Sequence, residues 1–207
     1  LVFECYSALR QQGIDIDIVS PDADLSGYRM VVVPTLPIVP EGFAEKLAAL
    51  TCPVLLGPRS GSKTASFTIP EGLAPGDCKQ VIPLTVTRVE SLRDGVSEPG
   101  DGFAVTRWRE DVRSRLEPEI SDAAGRGVVY AKGQARYCAI WPDRALLRQL
   151  TERMAQEAGV VLTDLPEGIR VRRSALHSFT FNYAAEPVFV PHLGETLAPA
   201  SWHIAAR

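Results

Sequence analysis

The stretch from Cys52 to Thr64 has residue types that could bind a phosphate. A strand-like apolar run leads into the loop Gly57-Pro58-Arg59-Ser60-Gly61-Ser62-Lys63-Thr64, which nearly matches the P-loop motif Gly-x4-Gly-Lys-[Ser/Thr]. A phosphate loop needs glycine before its lysine and a helix N-terminus facing the anion. Here Ser62 precedes the lysine, and a β-prone segment ending at Pro70 follows. The sequence therefore favours a tight structural loop after a strand over a nucleotide site.

The histidines and tryptophans are the next candidates for chemistry. The three histidines are separated by 15 and 11 positions and have no neighbouring cysteine, which matches no common metal-ligand spacing; they are His177, His192 and His203. The three tryptophans could stack on sugars, although buried tryptophans are commoner; they are Trp108, Trp141 and Trp202. We expect no metal and no cofactor.

Charge and cysteine usage narrow the classes of function. The net charge of −3 over 207 residues gives no general attraction to nucleic acid or acidic membranes. No apolar run approaches the roughly 20 residues of a membrane-spanning helix. The four cysteines are widely spaced without a Cys-x-x-Cys pair, as in buried thiols of a reducing compartment; they are Cys5, Cys52, Cys78 and Cys138. These features predict a cytoplasmic protein with neither a nucleic-acid nor a membrane partner.

The elements that would position the loop alternate along the first third of the chain. Hydrophobic spacing predicts helices at 3–12 and 41–50 and strands at 14–19, 30–34 and 54–56. Such alternation is typical of a doubly wound α/β sheet. Since a Rossmann-like unit begins with a strand, we expect its first strand upstream of residue 1.

The rest of the chain becomes richer in strands. The sequence predicts strands at 81–89 and 103–108, a hairpin of 127–132 with 136–141, and a helix at 143–158 with Asp143 as N-cap and Gly159 as its stop. Residues 160–162 are predicted to close the sheet. From Asp164 only short strands follow, at 169–173, 177–183, 188–190 and 202–205, which predicts a separate small β module.

Several segments together resemble a known family. They are residues 28–37, residues 56–64 with 67–70, 88–93, 141–143, 159–160, and 165–173 (Leu-Pro-Glu-Gly-Ile-Arg-Val-Arg-Arg) with 181–183. Together they are similar to the C-terminal half of family 42 glycoside hydrolases, which are β-galactosidases. The resemblance implies a class I glutamine-amidotransferase-like trimerisation domain at 1–163 and a small all-β domain at 164–207. It also implies an upstream (β/α)8 barrel that carries both catalytic carboxylates.

The resemblance implies that this chain has no catalytic residue of its own. Amidotransferases hold a nucleophilic cysteine in a Gly-x-Cys-x-Gly turn, and the matching frame here is Gly57-Pro58-Arg59-Ser60-Gly61. Arg59 occupies the nucleophile position, and a guanidinium cannot attack a carbonyl. Retaining glycoside hydrolysis needs two carboxyl groups about 5–5.5 Å apart, and we expect solvated roles for Glu90, Glu110 and Glu119.

Three functions are thus compared. The first is a non-catalytic assembly region whose partners are two further copies of itself and its own upstream barrel. In it, the loop residues Gly57, Pro58, Arg59, Ser60, Gly61 and Lys63 form part of an interface or a purely structural turn. The second is a stand-alone amidotransferase-like or deglycase-like enzyme, and the third a carbohydrate-binding module in the terminal β domain. We expect the first.

Overall fold

The computed structural model describes residues 1–207. The contacts between residues divide the chain into two compact units. The first comprises Leu1–Val2 and Val19–Gly159, and the second comprises Phe3–Ile18 and Val160–Arg207. The first helix is thereby grouped with the terminal strands. The predicted domain boundary after residue 163 stays a prediction. None of the helices is long and apolar enough to cross a bilayer.

The chain forms three α-helices, one 3₁₀ helix and fourteen strands. The helices are α1 (Val2–Gln11), α2 (Phe43–Ala48) and α3 (Arg144–Ala158), with the 3₁₀ helix at Gly76–Gln80. In the first unit the strands are β1 (Val31–Val33), β2 (Val54–Leu56), β3 (Leu84–Ser91), β4 (Glu98–Pro99), β5 (Ala104–Val105), β6 (Trp108–Ser114), β7 (Pro118–Ser121), β8 (Gly127–Lys132) and β9 (Ala135–Cys138). In the second they are β10 (Ile169–Arg173), β11 (His177–Asn182), β12 (Val188–Val190), β13 (Glu195–Leu197) and β14 (Trp202–Ala206).

A five-stranded mixed sheet organises the first unit. Its order is β1-β2-β9-β8-β7; the first three strands run parallel, and β8 and β7 are antiparallel to their neighbours. The strands β3 and β6 form a separate antiparallel pair. The α/β class and the hairpin of β8 with β9 are confirmed, whereas the sheet is parallel only in part.

Alternation along the central strand gives the sheet two covered faces. Val54 and Leu56 belong to the core that includes Phe43 and Leu47 of α2. Leu55, which points the opposite way, belongs to the core that includes α3. A strand that is buried on both faces needs a continuous run of apolar residues, which is why these three residues are all aliphatic.

The second unit has a small core of its own. The strands β10, β11 and β14 form an antiparallel sheet, and β12 pairs with β13. Five apolar side chains are buried together there, namely Leu165, Ile169, Val171, Val190 and Leu197. The four short strands predicted after Asp164 are confirmed, while β13 was not predicted.

Two predicted strands are wrong. Residues 14–19 and 160–162 have no strand neighbour. The backbone carbonyl of Ile14 accepts a hydrogen bond from the Arg10 side chain at 3.0 Å, and that of Ile16 accepts one from Arg172 at 2.8 Å. Arginine side chains therefore take the place that a neighbouring strand would have in a β-ladder. Val161 is 87% exposed. The predicted strand at 103–108 is divided into β5 and the start of β6, and β7 was missed.

Helix α3 begins and ends where its sequence predicts. Oδ1 of Asp143 accepts from the Leu146 N–H at 2.9 Å, and Oδ2 accepts from the Ala104 N–H at 2.8 Å. Gly159 ends the helix in the left-handed conformation, which glycine adopts readily. Asp143 therefore caps the helix and also holds β5 against it.

We expect Asp143→Ala to lower the free energy of unfolding by about 2 kcal/mol, because it removes the cap and leaves the Ala104 N–H without its acceptor. Urea unfolding monitored by circular dichroism measures this loss. Asp143→Asn keeps one acceptor oxygen and should cost about half as much. A loss below about 0.5 kcal/mol for the alanine variant, the level of an ordinary surface substitution, would contradict the dual role.

Candidate functional site

The elbow loop, defined as Gly57–Lys63, leaves the carboxyl end of β2 through two close backbone approaches. A Cβ atom at Gly57 would lie 1.8 Å from the Pro34 carbonyl oxygen, and one at Gly61 would lie 1.9 Å from that of Pro75. Any larger residue would therefore collide with backbone at either position. The two glycines are required by packing, and they fix the turn between them.

Arg59 lies at the apex of this turn in a strained conformation. Its φ is +66°, a region that residues with a Cβ rarely adopt. The side chain is exposed, and its guanidinium carbon lies 5.4 Å from the centroid of the Trp108 ring, within the range of a cation–π contact. The turn thus presents a cation outward on an aromatic support.

Beneath the turn, Glu110 on β6 is buried with 2% exposure. Its Oε1 accepts from the Arg59 backbone N–H at 2.8 Å and from Trp108 Nε1 at 3.0 Å. Its Oε2 accepts from the Tyr137 hydroxyl at 2.5 Å. One carboxyl group therefore joins the elbow loop to β6 and β9.

Burial governs the electrostatics of this cluster. Desolvation raises the pKa of Glu110 above its ordinary value, and the hydrogen bonds from Tyr137, Trp108 and Arg59 oppose that rise. Burial also raises the pKa of Tyr137 well above its ordinary value, and the facing Glu110 adds to this shift. The tyrosine hydroxyl therefore stays protonated and donates a hydrogen bond to the Glu110 carboxyl group.

The elbow loop does not offer a phosphate cradle. Its backbone N–H groups bind protein carbonyls: Gly57 to Val33 at 2.8 Å, Gly61 to Leu36 at 2.9 Å, and Lys63 to Pro37 at 2.9 Å. The Arg59 N–H binds Glu110. Since no helix begins after Thr64, the structural interpretation of the near P-loop is the better one.

The loop also lacks the parts of a thiol hydrolase. Burial raises the pKa of Cys5 to about 12, that of Cys78 to about 11, and that of Cys52 above its ordinary value. Protonated thiols are poor nucleophiles. Ser60 is fully buried, and its hydroxyl donates to the Gly57 carbonyl at 2.9 Å.

Two of the three histidines and the candidate carboxylates have structural partners. His203 lies 2.6 Å from Glu195, and His192 is hydrogen-bonded to Thr180 at 3.2 Å; both belong to the second unit. In the first unit Glu119 pairs with Arg136 at 2.8 Å, and Glu90 pairs with Arg88. No group of three or more metal-ligating side chains is present among residues 1–207.

Sequence reasoning missed the Glu110 cluster. It found the elbow loop but treated Glu110 as a solvated carboxylate, and that prediction is wrong because the side chain is buried. The available signal was the Trp108-x-Glu110 pair, whose alternation on a strand places both side chains on one face. Arg59, whose N–H binds Glu110, lies 51 positions away in sequence, so no local sequence pattern indicates this contact.

Comparison with known proteins gives one consistent result. The family model described as the β-galactosidase trimerisation domain matches residues 2–161. A β-galactosidase of Thermus thermophilus is 45% identical over 195 residues, covering 92% of this chain and 30% of the relative. The β-galactosidase BgaH of Haloferax lucentense is 33% identical, covering 88% and 30%. This chain thus spans about 30% of the length of these relatives and aligns with their C-terminal part.

Solved structures of β-galactosidases also superimpose on nearly the whole of this chain. The crystal structure of β-galactosidase from the psychrophilic Marinomonas ef1 superimposes with a TM-score of 0.91 at 31% identity, covering 98% of this chain and 32% of that one. The β-galactosidase of the haloarchaeon Halorubrum lacusprofundi gives 0.87 at 27% identity, covering 99% and 35%.

We expect Gly57→Ala to lower the free energy of unfolding by about 3 kcal/mol or more, because its Cβ would overlap the Pro34 carbonyl. Gly27→Ala is the matched control, since nothing lies within 4 Å of a Cβ there, and it should change stability by less than about 0.5 kcal/mol. Chemical unfolding of both variants tests this. Equal effects would show that the loop is not packed as described.

Glu110→Gln should change how stability depends on pH. Because the native pKa of Glu110 is raised, the native state keeps a proton that the unfolded chain has lost. This contribution to stability is full below the ordinary value of 4.5 and is lost as pH rises through the native pKa. The wild type should therefore lose stability relative to Glu110→Gln as the pH rises above the ordinary value of 4.5.

The glutamine can keep all three contacts if the Tyr137 hydroxyl turns to accept from its Nε2. Unfolding free energies of both proteins at several pH values supply the measurement, and Glu117→Gln, at an exposed carboxylate, supplies the control. A wild-type to Glu110→Gln difference that stays constant or rises with pH would contradict the direction of this shift.

Proposed function

This chain belongs to the β-galactosidase trimerisation-domain family, and we propose that it is the non-catalytic assembly region of a homotrimeric enzyme that hydrolyses terminal β-galactosides. The conformation of the elbow loop is the observation that supports a non-catalytic role. Arg59 stands at the apex where a nucleophile would be, and its N–H is already bound to a buried carboxylate. We infer that the turn occupies the place of a catalytic elbow without its chemistry.

The catalytic step would belong to the part of the enzyme that this chain does not include. A retaining glycosidase needs a nucleophile and an acid on facing carboxyl groups. The candidate carboxylates here instead pair with arginines or lie under the elbow loop. We assign both catalytic groups to an upstream (β/α)8 barrel, which would also be the second partner of this region.

A finer fold assignment supports this proposal. The parallel core of β1, β2 and β9 with the elbow at its carboxyl edge suits a class I glutamine-amidotransferase-like domain. We propose that this domain covers 1–163 and that the small β domain covers 164–207. Four thiols without a disulfide suit the cytoplasm, where such thiols stay reduced.

We further propose that the elbow loop contributes to the trimer interface. A cyclic trimer needs two different patches on each chain that meet when three copies close a ring. Arg59 is exposed and already oriented on Trp108, so little freedom is lost when a carboxylate of the next copy binds it. Lys63 adds a second cation at the end of the same loop, while Gly57, Pro58, Ser60 and Gly61 hold its shape.

The test is the mass of this chain in solution, measured by light scattering over a concentration series. We expect a trimer that dissociates on dilution, and Arg59→Ala should raise the dissociation constant about tenfold. Arg93→Ala, at another exposed arginine, should leave it unchanged. A monomer at every concentration, or hydrolysis of a β-galactoside by this chain alone, would overturn the proposal.

A further inference from the structure

A second loop, Thr64–Leu73, follows the elbow loop and exposes apolar side chains. Phe67 and Ile69 are each 67% exposed, and Leu73 is 37% exposed. Neither Phe67 nor Ile69 is part of a hydrophobic core cluster of the first unit. Single exposed apolar residues are ordinary on protein surfaces, whereas several on one short loop indicate a contact surface.

The tip of this loop is held in place. Thr64 N–H donates to the Thr68 carbonyl at 2.9 Å, and Phe67 N–H donates to the Thr64 carbonyl at 2.9 Å. The two threonine hydroxyls are hydrogen-bonded at 2.7 Å. The loop is therefore closed on itself, and Phe67 projects from a defined turn.

The backbone of Phe67 is strained, although its ring packs in no hydrophobic core of its own chain. Its φ is +64°, and for a bulky residue a positive φ is a genuine outlier. Glycine or asparagine would adopt this conformation more easily. A phenylalanine that is both strained and exposed to water gains little from folding, and its one ring contact is with Lys63, so the strain points to a contact outside the chain.

We propose that Phe67 and Ile69 form an apolar anchor that is buried by a second copy of this chain. This inference rests on the self-association proposed above and names the residues that provide its apolar contact. Interfaces concentrate their binding energy in a few central aromatic and apolar side chains. A preorganised anchor loses little freedom on binding.

Two observations favour a second copy as the partner. The loop lies within residues 2–161, the part that matches the trimerisation-domain family. It is also continuous with the elbow loop, because the Lys63 ammonium lies 5.3 Å from the centroid of the Phe67 ring. Cations around an aromatic anchor resemble the polar rim of an interface around its apolar centre.

Phe67→Gly tests the anchor because it should weaken the assembly while leaving the single chain as stable or more stable. It removes the ring and should raise the dissociation constant of the assembly about 30-fold, the loss typical of a hot spot. It also relieves the positive φ, so the melting temperature of the dilute, dissociated chain should not fall and should rise by up to about 2 °C. Ile69→Ser should weaken assembly without that rise.

The control is Phe3→Ala, which removes a phenylalanine that is 77% exposed elsewhere and should leave the dissociation constant unchanged. If wild type assembles and both loop variants assemble equally well, the anchor is wrong while the proposed self-association stands. If Phe67→Gly lowers the melting temperature and leaves assembly unchanged, the ring packs within its own chain and the anchor is wrong. A monomeric wild type would overturn self-association and the anchor with it.

Discussion

The buried carboxyl group of Glu110 is the constraint on which the site depends. Moving a carboxylate out of water costs several kcal/mol unless hydrogen bonds replace its hydration. Here the replacement comes from three segments that are distant in sequence: the Arg59 N–H, the Trp108 ring and the Tyr137 hydroxyl. Because all three donors must be in place together, the carboxyl group fixes the elbow loop against β6 and β9. Losing it would leave the buried Tyr137 hydroxyl and two partly buried N–H donors without an acceptor.

The same constraint also occupies a backbone donor at the apex of the elbow loop. An elbow that supports a nucleophile must leave backbone N–H groups free for a developing oxyanion, but the Arg59 N–H is taken by Glu110. The strained apex therefore only directs a side chain outward. In this chain that side chain is a guanidinium on a tryptophan ring, which is suited to contacting a carboxylate surface.

The sequence predicted the elements whose signals are local. Helix α3 follows from Asp143, its apolar period and Gly159, and β2 follows from an unbroken aliphatic run. Residues 14–19 alternate as a strand would, yet their carbonyls bind arginines, one of which is 156 positions away. No local pattern shows such a partner. The Glu110 cluster was missed for the same reason, since its members lie on three separate elements.

The two loops after β2 differ in how their backbones are held, and this difference bears on assembly. The elbow loop is fixed by glycine packing and by a buried acid, so its conformation belongs to the folded core. The Thr64–Leu73 loop is held at its tip by its own threonines and near its end by the Lys79 ammonium, which donates to the Gly72 carbonyl, and it carries exposed apolar groups. A rigid base that supports a small, self-closed tip places charge and apolar surface side by side with little entropy left to lose. The Lys63 cation thus lies beside the exposed Phe67 ring within the part of the chain that matches the trimerisation-domain family.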